Sequence, residues 1–543
     1  MALNLMRTLS KWSARLAAIA ILACAGAAFA ADDSIPHLRK QGTATQLIVD
    51  GQPFLATGGE LHNSSSSSLE FMKPVWRHML DLNFNTVLAG VSWELVEPSE
   101  GQFNFDLVDG LIQDARRNNL RLVFLWFGSW KNGMSSYIPL WVKQNYRRFP
   151  RVKLGGGQTV EVLSTLAEAN WAADARAFAA LLRHIREMDG EKHTVILVQV
   201  ENEVGVLRDS RDRSDAANAA FAAQVPAALM DYLGKNRDAL VPEIRARWEA
   251  AGSKTAGTWA EVFGDSPQTD ELFMAWNYAR YVDHVAEAGK AQYPIPLYVN
   301  TWLSGQGKPG EWPSGGPLPH VMDMWLAGAK HIDFLSPDIY APDFNGWCQR
   351  YTRRGNPLFI PEMNREGAGP RNVFLAIGQY GAMGVSPFAV DSLANPQDSE
   401  LARDYQALRQ IAPLALRAQG TGAMAGFVLD KEHPTATSEL GDYQLDISLD
   451  EIFGNRAASG YGLVIATGPN EFVGAGSGFR VAFRAKTGGP KLVGIGSVDE
   501  GVYRDGKWIA GRRLNGDEND QGLKWRFSPD AVKIEKCVVY RYE

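Results

Sequence analysis

The sequence contains a mostly apolar run, Val195-Ile196-Leu197-Val198-Gln199-Val200, which is followed at once by Glu201-Asn202-Glu203. A run of apolar residues that does not alternate with polar ones is typical of a parallel strand buried on both faces. Leu358-Phe359-Ile360-Pro361 runs into Glu362 in the same way. Two buried strands that each end in a carboxylate indicate a parallel sheet with acidic groups at its carboxyl edge.

Between residues 54 and 390, eight apolar runs alternate with longer amphipathic stretches. The predicted strands are Phe54–Thr57, Thr86–Ala89, Arg121–Phe127, Val195–Val200, Pro296–Asn300, Ile332–Ser336, Pro357–Pro361 and Val385–Val390. The predicted helices include Phe71–Leu82, Phe105–Asn118, Trp171–Met188, Thr269–Ala291 and Gln397–Ala415. Eight strands that alternate with helices over ~340 residues predict an α/β fold, a (β/α)8 TIM barrel, with both acidic strand ends on the carboxyl-terminal face.

The sequence predicts further parts before, within and after the barrel. Residues 31–52 end near the turn-forming pair Asp50-Gly51 and predict a hairpin ahead of the first barrel strand. After about residue 418, short β-prone runs are separated by Gly, Asn and Asp, which is typical of an all-β domain. We expect a catalytic barrel over residues 31–417, with a helical insertion at Leu207–Ser266, and a smaller all-β domain over 418–543.

The first 30 residues have the pattern of a secretory signal peptide. Arg7, Lys11 and Arg15 precede the apolar run Leu16–Cys24, and Ala28-Phe29-Ala30 is a small-x-small cleavage site. The alternative, a lipoprotein signal at Cys24, is less well matched because Leu22 occupies a position usually held by a small residue. We expect a periplasmic or secreted protein without a membrane span, since no later segment is apolar over about 18 residues.

Composition excludes several classes of function. The 543 residues carry a formal net charge of −6, and no concentrated basic surface of the kind that binds nucleic acid is evident. The sequence has no HExxH motif, no Cys/His cluster with zinc spacing and no Gly-rich nucleotide loop, so neither a cofactor nor a metal is expected. Sixteen tryptophans suit a protein that stacks sugar rings. Cys348 and Cys537 either pair or, as we favour, stay separate buried thiols.

Glu203 and Glu362 form the candidate catalytic pair. By count they follow the fourth and seventh strands, and carboxylates at such strand ends can approach each other across the mouth of a barrel. Glycoside hydrolysis needs this arrangement, with one acid to protonate the leaving oxygen and one carboxylate to attack or to activate water. The alternative is that each glutamate only caps the helix after its strand.

These motifs resemble those of family 35 glycoside hydrolases, retaining β-galactosidases with a (β/α)8 barrel. The stretch from Val198 to Gly205 is similar to that family's V-Q-V-E-N-E-Y-G signature. Asp50 to Phe54, with Gly58 to His62, is similar to its opening D-G-x-P-F and S-G-x-x-H motifs. The tail, including Gly506-Lys507-Trp508, resembles the small C-terminal domain of a bacterial branch of the family.

The resemblance implies roles for individual residues. Glu203 would be the general acid/base, Glu362 the nucleophile, and Asn202 a hydrogen-bond partner of the sugar 2-hydroxyl. Tyr340 would hydrogen-bond the nucleophile. Glu201 is the rival acid, interpreted as a buried support of Glu203 on the same strand face, and Glu366 is the rival nucleophile.

The sequence also departs from that family. Gly128-Ser129-Trp130 replaces the usual Ala-Glu-Trp, so a carboxylate that would contact galactose is missing. Gly90 and Phe388 stand where tyrosines are usual. Residues that could compensate are the following: Glu60, His62, Trp93, Trp130, Asn300, Trp302 and Tyr340. Of these we predict Tyr340, Trp130, Glu60 and Trp302 as substrate-binding residues.

Together these features predict a retaining exo-β-galactosidase that acts on an oligosaccharide, such as the galactosyl side chains of plant xyloglucan. Another exo-glycosidase, such as a β-arabinosidase or a β-glucosidase, and a non-catalytic carbohydrate-binding barrel remain alternatives. The sequence does not indicate an oligomeric state.

Overall fold

The computed structural model describes residues 35–452, 454–486 and 488–543. The predicted signal peptide, residues 1–30, lies outside these described residues. Across the described ranges, no helix combines the length and the apolar character required for a membrane crossing.

Eight parallel strand positions close into the predicted barrel, and the seventh of them is split in two. The strands are Ala56–Glu60, Thr86–Ser92, Arg121–Phe127, Val195–Val200, Leu297–Trp302, Phe334–Ile339, Phe359–Ile360 with Glu362–Met363, and Gly384–Val385. The split falls at Pro361, which has no N–H to donate. Phe359–Ile360 pairs with the eighth strand and Glu362–Met363 pairs with the sixth, so the seventh position still joins its two neighbours.

The eighth strand is shorter than the sequence predicted. Only Gly384–Val385 pairs with both neighbours, whereas the prediction ran to Val390. Pro387 cannot donate a ladder hydrogen bond, and the chain turns into a short 3-10 helix at Val390–Ser392. The barrel rim is therefore irregular beside the first strand, where Glu60 and Phe388 form an isolated bridge.

Amphipathic helices cover the barrel. In Asp106–Arg117, for example, the buried residues Val108, Leu111, Ile112 and Ala115 follow helical spacing. The helices outside the insertion are Leu69–Asp81, Trp93–Val96, Asp106–Arg117, Leu140–Gln144, Glu168–Asp189, Pro267–Lys290, Met322–Gly328, Phe344–Tyr351, Gly369–Tyr380 and Glu400–Ala418. The predicted insertion contains four more, at Asp215–Ala222, Ala227–Lys235, Pro242–Ala250 and Trp259–Phe263. A small hairpin, Arg151–Lys153 with Thr159–Leu163, follows the third strand.

The predicted N-terminal hairpin is a three-stranded antiparallel sheet, His37–Gln41, Ala44–Val49 and Gln52–Phe54. Asp50 and Gly51 form its second turn with positive φ angles of 50° and 71°, as a two-residue hairpin turn requires. Leu47 and Val49 pack with apolar side chains from the barrel strands. The sheet therefore closes the end of the barrel opposite the acidic strand ends.

Beyond residue 418 the chain is all-β, as predicted. The six-stranded sheet consists of Met424–Leu429, Gly460–Gly468, Glu471–Ser477, Lys533–Tyr542, Leu492–Arg504 and Lys507–Leu514. The four-stranded sheet consists of Thr435–Leu440, Tyr443–Leu449, Phe479–Ala485 and Trp525–Phe527, and Glu451–Ile452 pairs separately with Asn455–Arg456. An apolar core that includes Phe427, Leu445 and Trp525 lies in this part of the chain.

The all-β part packs directly on the barrel helices. The Tyr461 hydroxyl donates to Asp404 Oδ1 at 2.8 Å, and a Cβ atom at Gly378 would lie 2.5 Å from the Gly426 Cα. Glycine at these positions allows helix and strand to approach closely. Cys348, on the Phe344–Tyr351 helix, and Cys537, on the last strand, are separate buried thiols, so the alternative that they pair is wrong.

Candidate active site

Glu203 and Glu362 meet at the carboxyl-terminal mouth of the barrel. Each side chain is almost fully buried, with 5% of its residue surface exposed. One carboxylate oxygen from each, together with one from Asp338, lies within 4.8 Å of the other two. This approach of the predicted pair is compatible with the ~5–5.5 Å between the two carboxyls of retaining glycosidases. The rival nucleophile Glu366 is exposed in the loop after the seventh strand.

The backbone that presents Glu203 is strained. The fourth strand ends at Val200, and Glu201 and Glu203 then take positive φ angles of 62° and 47°. Non-glycine residues rarely adopt this left-handed conformation, and it is concentrated at functional sites. The Glu203 N–H donates to Asn300 Oδ1 at 3.0 Å and the Asn202 N–H donates to Trp130 O at 3.2 Å. These two hydrogen bonds hold the strained segment in place.

Glu201 is separated from the mouth by this change in the backbone. Simple strand alternation predicts the same face for Glu201 and Glu203, but alternation stops where the left-handed residues begin. Glu201 is fully buried, and its Oε2 accepts a 2.7 Å hydrogen bond from the Trp130 N–H. Burial and the neighbouring Asp174 raise the pKa of Glu201 well above its usual value. Its place is beneath the site, as a support.

Two predicted residues contact the candidate nucleophile. The Tyr340 hydroxyl donates to Glu362 Oε2 at 3.0 Å, and Asn202 Nδ2 donates to Glu362 Oε1 at 3.4 Å. The Asn202 Oδ1 atom is buried without a hydrogen-bond partner among the described residues. Burial and Glu362 raise the pKa of Tyr340 above its usual value, so this hydroxyl stays a hydrogen-bond donor. Both donors hold the Glu362 carboxylate in a fixed orientation at the mouth of the barrel.

Glu203, the second carboxyl of the pair, lies in surroundings that favour its protonated form. Burial, and then the neighbouring charge of Glu362, raise the pKa of Glu203 to about 7. The same two causes raise the pKa of Asp338 well above its usual value. A carboxyl that stays protonated to a higher pH than usual suits the role of a general acid.

The structure adds Lys131 and Asp338 to the site, and sequence reasoning missed both. Lys131 Nζ lies 4.0 Å from Glu362 Oε1, and Asp338 Oδ2 accepts a 2.7 Å hydrogen bond from Asn300 Nδ2. Asp338 belongs to the sixth strand, two residues before Tyr340, and that proximity was an available signal. For Lys131 the available signal was the turn-forming pair Asn132-Gly133 directly after it, which indicates a tight turn soon after the third barrel strand.

Glu60 joins the same group of side chains, as predicted for a residue of the site. It ends the first barrel strand with 1% of its surface exposed. Burial and Glu362 raise the pKa of Glu60 well above its usual value, although Lys131 acts in the opposite direction. Neither of its carboxyl oxygens has a hydrogen-bond partner among the described residues.

Trp130 does not lie where a sugar could stack on it, so that expectation is wrong. Its side chain is fully buried, and its ring lies edge-on against Tyr278 and Tyr281, with ring centroids 4.9 and 4.4 Å away. Its indole N–H donates to Leu163 O at 3.3 Å. The Trp130 ring is therefore part of the core, and only its backbone serves the site.

Three further residues were candidates for contact with the sugar: Trp93, His62 and Asn300. Trp93 lies in the hydrophobic core, while His62 and Asn300 have polar partners. Trp93 is fully buried, and its indole donates to Glu97 at 2.8 Å. His62 is exposed, with Nδ1 2.9 Å from Asp391 Oδ1. Asn300 links Glu203 to Asp338 through the two hydrogen bonds described above.

A cavity of about 330 Å³ opens beside the catalytic pair. Its lining includes Asp338 and Tyr340 from the site, and Trp302, Gln306 and Trp312 further out. Trp302 is 43% exposed, so one face of its ring is available to a ligand. A separate cavity of about 350 Å³ lies on the same barrel face, lined by Ser64 and Tyr137 among others. Neither cavity is lined by Glu203 or Glu362 themselves, but the first is lined by Asp338 and by Tyr340, which contacts Glu362.

The three close carboxyls, Glu203, Asp338 and Glu362, are also near enough to surround a small cation. The buried ammonium of Lys131 already places a positive charge beside them. The expectation that the chemistry needs no metal stays a prediction.

Family comparisons bear on the barrel and the tail separately. Residues 65–293 match the model of glycoside hydrolase family 42, described as β-galactosidase, and residues 401–526 match a domain of unknown function, DUF5597. The first match includes Glu203 and Lys131 and ends before Glu362. The family 35 resemblance is thereby corrected, because the barrel model that matches is that of family 42.

Two curated relatives carry the name β-galactosidase. The protein GalA of Bacillus licheniformis is 23% identical over 282 residues, which cover 48% of this chain and 37% of that protein. A β-galactosidase of Xanthomonas manihotis is 29% identical over 199 residues, which cover 34% of this chain and 29% of that protein. The chain thus spans about a third of the length of the curated relatives it matches.

Solved structures to which the chain is similar include a β-galactosidase from Bacillus circulans sp. alkalophilus, at 14% identity and a TM-score of 0.46, covering 67% of this chain and 57% of that one. The catalytic domain of a β-amylase from Paenibacillus polymyxa has 12% identity and a TM-score of 0.45, covering 63% of this chain and 94% of that one. The part of the barrel that carries Glu203 is thus similar to a glycoside hydrolase family described as β-galactosidase.

Proposed function

We propose that this protein is an exported exo-β-galactosidase that hydrolyses terminal β-galactosyl residues with retention of configuration. One observation carries the proposal: Glu203 and Glu362 lie together at the barrel mouth with oxygens within 4.8 Å, and the pKa of Glu203 is raised as a general acid requires. The match of residues 65–293 to a β-galactosidase family supports the choice of sugar.

In the first step, Glu362 attacks the anomeric carbon while Glu203 protonates the departing glycosidic oxygen. Tyr340 and Asn202 donate hydrogen bonds to Glu362, and the Lys131 ammonium lies 4.0 Å from it, so the attacking carboxylate is held in place. Because the pKa of Glu203 is about 7, this carboxyl is mostly protonated in weakly acidic solution. In the second step Glu362 is esterified and neutral, so Glu203 loses its negative neighbour, ionises more readily and activates water.

The cavity beside the pair is where the leaving group would lie. Trp302 and Trp312 provide aromatic surface there, and Gln306 provides an amide. Such a lining suits a sugar, whose ring faces are apolar and whose edge carries hydroxyls. The galactosyl side chains of plant-wall oligosaccharides, xyloglucan fragments among them, are the substrates that we propose.

A substrate panel tests this proposal. Aryl β-galactoside, β-glucoside and β-arabinoside are compared first, followed by a galactosylated xyloglucan oligosaccharide analysed for backbone length. We expect the galactoside to have the highest kcat/KM and the oligosaccharide to lose only galactose. Preference for glucoside or arabinoside would move the assignment to another exo-glycosidase, and shortened backbones would indicate an endo-acting enzyme. Binding without turnover of any substrate would leave a carbohydrate-binding barrel.

A further inference from the structure

Lys131 is held rigidly at the mouth of the barrel. Its N–H and carbonyl both pair with Met134, across a two-residue turn in which Asn132 and Gly133 have φ angles of 52° and 68°. On its other side, the Trp130 N–H is bound to Glu201. Gly128 is required nearby, because a Cβ there would lie 2.6 Å from Glu201 Oε1. The backbone therefore fixes where the lysine side chain begins.

The ammonium group is buried and its hydrogen-bonding capacity is largely unused. Lys131 is 5% exposed, and its Nζ lies 5.2 Å from the centre of the Phe127 ring. Its ion pair with Glu362, at 4.0 Å, is longer than a hydrogen bond. An ammonium has three N–H donors, and no acceptor among the described residues lies within hydrogen-bond distance of this one. A charged donor in a largely buried position is costly unless a ligand supplies such acceptors.

Glu60 has the complementary deficit. Both of its carboxyl oxygens are buried without a donor among the described residues. Glu60 ends the first barrel strand, at the same mouth of the barrel as Glu203 and Glu362, and burial and the charges of Glu362, Lys131 and Glu203 all act on its pKa. The hydroxyl of the fully buried Tyr298 is also without a partner among the described residues. Unused donors on Lys131 and unused acceptors on Glu60 thus lie at the mouth of the barrel, together with the two catalytic carboxyls.

We propose that Lys131 and Glu60 together bind hydroxyl groups of the sugar that is cleaved, and so determine which sugar the site accepts. A sugar hydroxyl both donates and accepts, so adjacent hydroxyls satisfy an ammonium and a carboxyl at once. Ser129, two residues before Lys131, is not available for the same contact, because its N–H and its hydroxyl both donate to Asp174. This inference rests on the proposed function, because it places the cleaved sugar beside Glu203 and Glu362.

The test uses aryl glycosides of the sugar that the wild-type protein hydrolyses fastest, each lacking one hydroxyl at C3, C4 or C6. In the wild type, removing the hydroxyl bound by Lys131 should lower kcat/KM about 10- to 100-fold, as for a hydrogen bond to a charged group. In Lys131→Met the same deletion should cost less than about threefold, while the other deletions keep their wild-type penalties. Glu60→Gln should reduce the penalty at the same or the neighbouring position.

The control is Lys143→Met, which removes a lysine that pairs with Glu94 at 3.6 Å outside the catalytic group. It should retain the wild-type pattern of penalties. If Lys131→Met does not fold, Lys131→Gln, which keeps a polar side chain, takes its place in the same comparison. A folded Lys131 variant that loses activity uniformly, with every deletion penalty unchanged, would overturn the inference. Absence of hydrolysis by the wild type on every glycoside would instead count against the proposed function.

Discussion

Replacement of Glu203 by glutamine tests whether this residue is the general acid, and the size of the expected loss follows from that role. Glutamine has nearly the same shape but cannot deliver a proton to the leaving oxygen. A general acid contributes about 10²- to 10⁴-fold, so hydrolysis of a natural galactoside should fall by that factor. A dinitrophenyl galactoside needs no protonation, and its first turnover should stay within about tenfold of the wild-type rate.

The pH profile gives a second measure of the same residue. With its pKa raised to about 7, Glu203 is about nine-tenths protonated one unit below that value and about one-tenth protonated one unit above it. For a natural galactoside, wild-type kcat/KM should therefore fall about tenfold between pH 6 and pH 8. The Glu203→Gln variant should lack this fall, because no titrating acid remains.

The assay is rapid-quench measurement of the aryl burst on the dinitrophenyl substrate, with steady-state kinetics on the natural one. Steady-state turnover of the variant should be slow on both, since Glu203 also activates water. Glu201→Gln is the matched control: its carboxyl is fully buried under the site, so any loss should be similar on the two substrates. Equal loss of the first turnover on both substrates in Glu203→Gln would refute the assignment and move the acid role to Glu201.

Three further predictions follow from contacts in and around the site. Tyr340→Phe removes the 3.0 Å hydrogen bond to Glu362 and should lower kcat/KM about 10- to 100-fold without loss of fold, as measured by kinetics and circular dichroism; an unchanged kcat/KM would contradict this. Trp130→Ala should lower the free energy of unfolding by about 3–5 kcal/mol, because its ring is fully buried. Trp302→Ala should leave stability unchanged and raise KM for oligosaccharides, because its ring is exposed. The reverse pattern in denaturation and kinetics would contradict the placement of the two rings. Glu203→Gln should melt at a higher temperature than the wild type at pH 8 and at the same temperature near pH 5. The pKa of Glu203 is raised from 4.5 to about 7 in the folded protein, which therefore binds more protons than the unfolded chain between these values and loses stability as the pH rises through them. A difference in melting temperature that does not depend on pH would contradict this.

The barrel was predictable because its signals are local. Val195–Val200 has the observed bounds of the fourth strand, and a nearly continuous apolar run of that length is typical of a buried parallel strand. Glu203 and Glu362 were found because each lies within three residues of the end of such a run. The shortened eighth strand was missed because Pro387 affects pairing and leaves the apolar pattern intact.

The side chains around the catalytic pair were less predictable, because their roles depend on contacts between distant segments. Trp130 and Trp302 are both tryptophans close after barrel strands or at their ends, yet one is enclosed by Tyr278 and Tyr281 and the other is open to solvent. Nothing within a few residues of either distinguishes them. Lys131 resembled an ordinary charged loop residue until the fold placed four carboxyls around it.

Glu362 is assigned here as the nucleophile, and azide rescue of the Glu362→Gly variant tests this role. Removing the side chain should abolish hydrolysis while leaving a space beside the anomeric carbon that a small anion can enter. With a dinitrophenyl β-galactoside, added azide should restore turnover, and nuclear magnetic resonance should identify the product as α-galactosyl azide, since a single displacement inverts the centre. Near-wild-type hydrolysis by Glu362→Gly without azide would contradict the account, and so would a β-galactosyl azide product.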